Sequence, residues 1–132
     1  MSLSVHVGQI YEPLKAPATV VKLVGRLDTA TAPQAEKEIQ PVVSGSLKEV
    51  IFDLAGLTFI SSAGLRVLLG ARKALAARGA QVHLTNLQPQ IEKVLDIVKA
   101  LPGINVFKNV KEMDEYLTAI QRKVKEGEGE SS

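Results

Sequence analysis

The chain has 132 residues, 45% of them hydrophobic, with 16 basic and 14 acidic side chains and a formal net charge of +2. This is enough for one layered core and too little for two, and the scattered charges form neither a nucleic-acid stripe nor a polybasic membrane patch. With no cysteine there is no disulfide framework and no thiol nucleophile.

The first residues, MSLSVHVGQI, lack the basic and apolar regions of a signal peptide, and no apolar run approaches the ~20 residues that span a bilayer. A cytoplasmic protein without direct membrane insertion is expected. An aromatic content of 4% leaves few stacking platforms for single strands, so no direct nucleic-acid contact is expected either. Ser4–Tyr11 and Ala18–Val24 read as strands joined by a loose hairpin loop, because Pro13 and Pro17 remove ladder donors from the segment between them. Thr31-Ala32-Pro33-Gln34-Ala35-Glu36 supplies a cap, an early proline and an acidic first turn for a helix running to about Val43. Pro41 predicts a kink or an early end there.

Glu49–Leu54 is a nearly continuous apolar run, which predicts a strand buried on both faces with helices over each. A further strand-like apolar run, Leu57–Ile60, leads into Ser61 and Ser62. From Ala63 to Ala77, Leu65, Leu68, Leu69, Leu75 and Ala76 follow helical spacing, and Gly79 supplies a stop. Ala80–Thr85 reads as a strand and Gln90–Ala100 as a helix with Ile91, Val94, Leu95 and Val98 on one face. Ile104–Phe107 reads as a last strand and Val110–Val124 as a last helix with Met113, Leu117 and Ile120 inward. Residues 125–132 are charged and almost free of apolar side chains, so a disordered tail is expected. The order is that of an α/β fold with a mixed sheet of about five strands and about four helices.

Ser61 and Ser62 stand where a strand gives way to a helix, the usual place for ligands and chemistry in parallel α/β domains. A helix N-terminus carries unpaired N–H groups and about half a positive charge, which favours an anion such as phosphate. Serine is also among the best N-cap residues, so either hydroxyl is equally a candidate cap. A serine hydrolase needs a base beside its nucleophile, but only His6 and His83 exist, and Ile60-Ser61-Ser62-Ala63-Gly64 lacks the first glycine of a nucleophile elbow. No metal-ligand spacing, P-loop or other cofactor motif is present, so neither catalytic residues nor a cofactor are expected.

The stretch Asp53-Leu54-Ala55-Gly56-Leu57-Thr58-Phe59-Ile60-Ser61-Ser62-Ala63-Gly64-Leu65-Arg66-Val67-Leu68-Leu69 resembles the signature of bacterial anti-sigma factor antagonists, the STAS domain family. Val24-Gly25-Arg26-Leu27-Asp28 resembles the family's Gly-x-Leu-Asp element, and the order of elements is similar throughout a single domain over residues 3–124. The resemblance implies a partner switch in transcription regulation. The unphosphorylated form binds an anti-sigma factor that is often also a serine kinase using ATP, which frees a sigma factor. Phosphorylation of one serine ends that binding, and a PP2C-type phosphatase resets it. Counting back from Gly64 places the phosphoacceptor on Ser62, with Ser61 as second choice, standing where the family commonly has an acidic residue. Asp28 matches an acidic position near that loop, implying partner recognition or tuning; from local rules it reads as a turn aspartate before the first helix. The implied partner surface comprises Asp28, Thr29, Thr31, Ser61, Ser62 and Arg66. The competing expectation is a STAS domain that is never phosphorylated and serves as a binding subunit of a transport or sensor assembly.

Overall fold

The computed structural model describes residues 3–10, 18–100 and 109–127. Its elements run β1 (Leu3–Ile10), β2 (Ala18–Leu27), α1 (Ala32–Val43), β3 (Glu49–Asp53), β4 (Leu57–Ile60), α2 (Ser62–Ala77), β5 (Gln81–Thr85), α3 (Pro89–Ala100) and α4 (Val110–Lys125). The sheet order is β1-β2-β3-β5, with β1 antiparallel to β2 and the other pairs parallel. A mixed five-stranded sheet with four helices is thus present, as expected. The fifth strand, however, is β4, which the element order read from sequence does not count; the strand expected at Ile104–Phe107 lies outside the described residues, as does most of the expected tail.

The strands β3 and β4 act as one interrupted strand along β2. Lys22 pairs with Asp53, and beyond a register shift Arg26 and Leu27 pair with Phe59 and Ile60. Gly25 absorbs the shift at a φ of 113°, a conformation that favours glycine, and its N–H reaches the Gly56 carbonyl at 2.9 Å. This bulge carries the chain past the end of β3 and delivers Ser61 to the tip of β2, where the Ser61 N–H donates to the Leu27 carbonyl at 3.0 Å.

Burial alternates along the sheet, and this corrects the expectation of helices over both faces. Val50 and Phe52 of β3, and Val21 and Leu23 of β2, are fully buried, while Lys22, Val24 and His83 are exposed and Ile51 is half-buried. One face packs against helices; the described helices leave the opposite face open. A strand of five residues with three apolar ones in a row was too short to separate a two-sided strand from an alternating one whose outward residue happens to be isoleucine.

The helix α1 continues through Pro41 to Val43 instead of ending early. The terminus that the proline weakens is held from outside: the Arg78 guanidinium donates to the carbonyls of Val42, Val43 and Leu47 at 3.1, 3.0 and 2.7 Å. Val43 is the last helical residue, Val42 also accepts the Gly45 N–H at 3.2 Å, and Leu47 lies in the loop beyond, so Arg78 ties the helix end to the segment that follows it. The helix α2 buries Leu65, Leu68, Ala71 and Leu75; Leu69 is half-buried and Ala76 is exposed, one turn position off the expected stripe. The α3 residues Ile91, Val94 and Leu95 are buried as the spacing requires.

The inward stripe of α4 is Met113, Leu117 and Gln121, with Ile120 only half-buried. Burial of Met113 and Leu117 contributes about 1.5–3 kcal/mol each. Gln121 bonds the backbone of Ile60 as a neighbouring strand would: it accepts from the Ile60 N–H at 2.9 Å and donates to the Ile60 carbonyl at 2.7 Å. Gln90 of α3 donates to the Thr58 carbonyl at 3.0 Å. Two side-chain amides thereby satisfy the outer edge of β4. No described helix is long and apolar enough to cross a membrane.

Candidate functional site

The two serines take separate roles that local rules allowed to either. Ser61, in extended conformation, is the N-cap of α2, and its Oγ accepts from the Gly64 N–H at 3.3 Å. Gly64 is required here for a steric reason: a Cβ would overlap the Leu27 carbonyl oxygen and side chain, so the first turn of α2 rests directly on the end of β2. Ser62 is the first helical residue and is only 2% exposed. Its Oγ is the one buried side-chain polar atom without a hydrogen-bond partner among the described residues.

A carboxylate already occupies the head of α2. Asp114 Oδ1, from the second turn of α4, accepts the Ser62 backbone N–H at 2.9 Å. Ser61 stands where the resemblance implies an acidic residue, and in space the charge is supplied by Asp114 instead. A negative group suits this terminus because of its unpaired N–H groups and the helix dipole.

Asp28 and Thr31 close a reciprocal hydrogen-bonded turn before α1, and the N-cap Thr31 makes no side-chain cap to the helix itself. Asp28 Oδ1 accepts the N–H groups of Ala30 and Thr31 at 3.0 and 3.1 Å, while Thr31 Oγ1 accepts the Asp28 N–H at 2.9 Å and donates to the Arg26 carbonyl at 2.8 Å. Arg26 lies 3.6 Å from Asp28 Oδ2 and stacks over the Phe59 ring, 4.0 Å from its centre. Partial burial pushes the Asp28 pKa up, but the Thr31 and Ala30 hydrogen bonds and the Arg26 charge outweigh it and hold the carboxyl below its ordinary value. Asp28 is therefore a structural turn residue whatever else it touches.

Of the expected partner surface, Thr29 and Arg66 are exposed and line one shallow groove of about 250 Å³ between the heads of α1 and α2, with Pro33, Glu36, Ala63 and Val67. Asp28 is half-exposed at the adjoining turn, whereas Thr31, Ser61 and Ser62 are buried. The six residues thus share one end of the sheet, but only half of them reach its surface. Asp114, Gln121 and Gln90 were not singled out from the sequence. A polar residue on an otherwise apolar stripe, as Gln121 is after Met113 and Leu117, is the signal that could have found one of them; Asp114 had none. His83 is hydrogen-bonded to Glu49 at 2.8 Å on the open sheet face, and no base reaches the Ser61 or Ser62 hydroxyl among the described residues.

Comparison with known proteins places this geometry in a family. The STAS domain family model matches residues 10–113. The anti-sigma F factor antagonist of Lysinibacillus sphaericus is 30% identical over 84 residues, covering 63% of this chain and 72% of that one. BtrV of Bordetella bronchiseptica is 37% identical over 75 residues, 57% of this chain, and the match spans only 65% of BtrV. The fold is similar to that of the anti-sigma factor antagonist SpoIIAA in its unphosphorylated form, with a TM-score of 0.60 at 23% identity over 73% of this chain and 81% of that one. The chain belongs to the STAS domain family.

Proposed function

We propose that this protein is an anti-sigma factor antagonist working as a phosphorylation-controlled partner switch, with Ser62 as the phosphoacceptor. Its partners are an anti-sigma factor that is also a serine kinase, and a PP2C-type phosphatase that removes the phosphate. The observation that carries the reading is the unpartnered Ser62 Oγ at the head of α2. A buried polar group left unpaired costs roughly 1–3 kcal/mol, so this hydroxyl does not serve the fold. Transfer of the ATP γ-phosphoryl group to Oγ, with release of ADP and the hydroxyl proton, adds about −1.5 to −2 charges and three strong acceptor oxygens.

The Thr29–Arg66 groove with the adjoining Asp28 turn is the docking face, next to that oxygen. A phosphate trapped unpaired in such an interface costs about 2–5 kcal/mol, close to the ~5.5 kcal/mol that takes a population from 99:1 to 1:99. One modification is therefore sufficient to release a partner. A second reading, a binding subunit that is never phosphorylated, is favoured by the burial of Ser62.

Incubation with the anti-sigma factor kinase and ATP, followed by intact mass, separates the two. Wild type is expected to gain one phosphate and Ser62→Ala none. No gain on wild type would sink the phosphorylation switch, and a gain that persists in Ser62→Ala would move the site to Ser61 or beyond.

A further inference from the structure

We infer that α4 is a latch over the Ser62 hydroxyl, and that Asp114 and a phosphate on Ser62 compete for the same helix terminus. Two independent observations meet at this point. The Ser62 Oγ is buried and unpartnered. The backbone N–H of the same residue is held at 2.9 Å by a carboxylate that arrives from the far end of the chain. The grip of α4 extends one layer deeper, where Gln121 both donates to and accepts from Ile60, two residues upstream.

With α4 docked, a kinase cannot place the Ser62 oxygen in line with a phosphoryl donor, because that oxygen has almost no exposed surface. Release of α4 uncovers the hydroxyl and frees the adjacent N–H together. Once a phosphate is present, its oxygens and the Asp114 carboxylate are like charges contending for one set of N–H donors, and the dianion with three acceptors displaces the monoanion. The coupling runs both ways, since whatever holds α4 down opposes phosphate and phosphate opposes docking of α4. The phosphate half of this inference rests on the proposed switch, whereas the latch half does not.

The absence of native cysteine makes the latch directly measurable. Ser62→Cys introduces a single thiol of nearly the same shape, whose reaction with a small disulfide reagent reads exposure of the site without any kinase. Its rate is expected to be far below that of a Thr29→Cys reference on the exposed groove. Loss of the charge-assisted bond to Asp114 is worth roughly 1.5–3 kcal/mol, so Asp114→Ala should raise the Ser62→Cys rate by about tenfold or more. Gln121→Ala should raise it further, and Asp114→Asn, a milder change that preserves shape, should raise it less. Equal rates for the two thiols, or a Ser62→Cys rate unmoved by both Asp114 substitutions, would overturn the latch.

Competition at the terminus is read by amide exchange in Ser62→Glu. Amides of α4 should lose protection while those of β2 and β3 keep it; unchanged protection of α4 would overturn the competition. Kinase assays then tell the two failures apart. Equal phosphorylation rates for wild type and Asp114→Ala would sink the latch and leave the switch standing. A gated thiol in a chain that never accepts phosphate would do the reverse.

Discussion

The hydroxyl of Ser61 is committed to Gly64, whereas that of Ser62 is committed to nothing, although the two are neighbours of identical chemistry. The difference comes from backbone position: an extended N-cap can fold its side chain onto the helix N-terminus, and the first helical residue cannot. Gly64 completes the arrangement by letting α2 settle on the Leu27 carbonyl. Alanine there would gain a little helix propensity but force this contact apart, and overpacking costs about 1–3 kcal/mol. Urea unfolding of Gly64→Ala should show a loss of that order with an unchanged slope. The place of Ser62 at a helix head was legible in the sequence, because cap, glycine and apolar periodicity are local signals. The carboxylate beside it was not, since Asp114 lies 52 residues away and only tertiary packing brings it there.

Single elements here depend on side chains borrowed from others. The end of α1, weakened by Pro41, is closed by Arg78 from the end of α2. A charged hydrogen-bond donor of this kind contributes roughly 1.5–3 kcal/mol. Arg78→Ala should lower the unfolding free energy by about that much, and Arg78→Lys should recover only part of it, because an ammonium lacks the planar fork that reaches three carbonyls. In sequence Arg78 is simply a polar residue at the end of α2. Its role depends on the meeting of two helix ends, which hydrophobic spacing does not encode. The strand β4 was legible only as a strand-like run, left out of the element order for a related reason. Four residues, broken from β3 by a turn and paired on one edge by glutamines, carry too little pattern to count as a separate element.

At the scale of the whole molecule, acid is the simplest probe of how the parts are joined. Asp28 is held below its ordinary value near 3.8 by the balance described above. Asp53, which accepts the Ala55 N–H and then the Asn86 amide, is lowered in the same direction, with burial opposing. A carboxyl whose folded pKa is depressed contributes stability that is complete above its unfolded pKa and lost as pH falls through the folded value. Thermal midpoints should therefore fall as pH drops below about 4, and Asp28→Asn combined with Asp53→Asn should flatten that fall. Both residues sit at turns where a strand hands over to the next element, so the loss strikes the connections of the sheet before its core. The α/β order and the antiparallel hairpin were legible at this scale; that the described helices cover one face of the sheet was not, because alternation is hidden when outward positions are also apolar.

The glutamine amides on β4 set a lifetime as well as an edge. When α4 lifts, Gln121 leaves the Ile60 N–H and carbonyl facing outward together, as an open strand edge does. Water can satisfy those groups, but so can any extended backbone that arrives first. A neighbour that supplies a strand to that edge would prolong the uncovered state of the inferred latch, so the time for which the serine stays in reach would depend on the company the chain keeps.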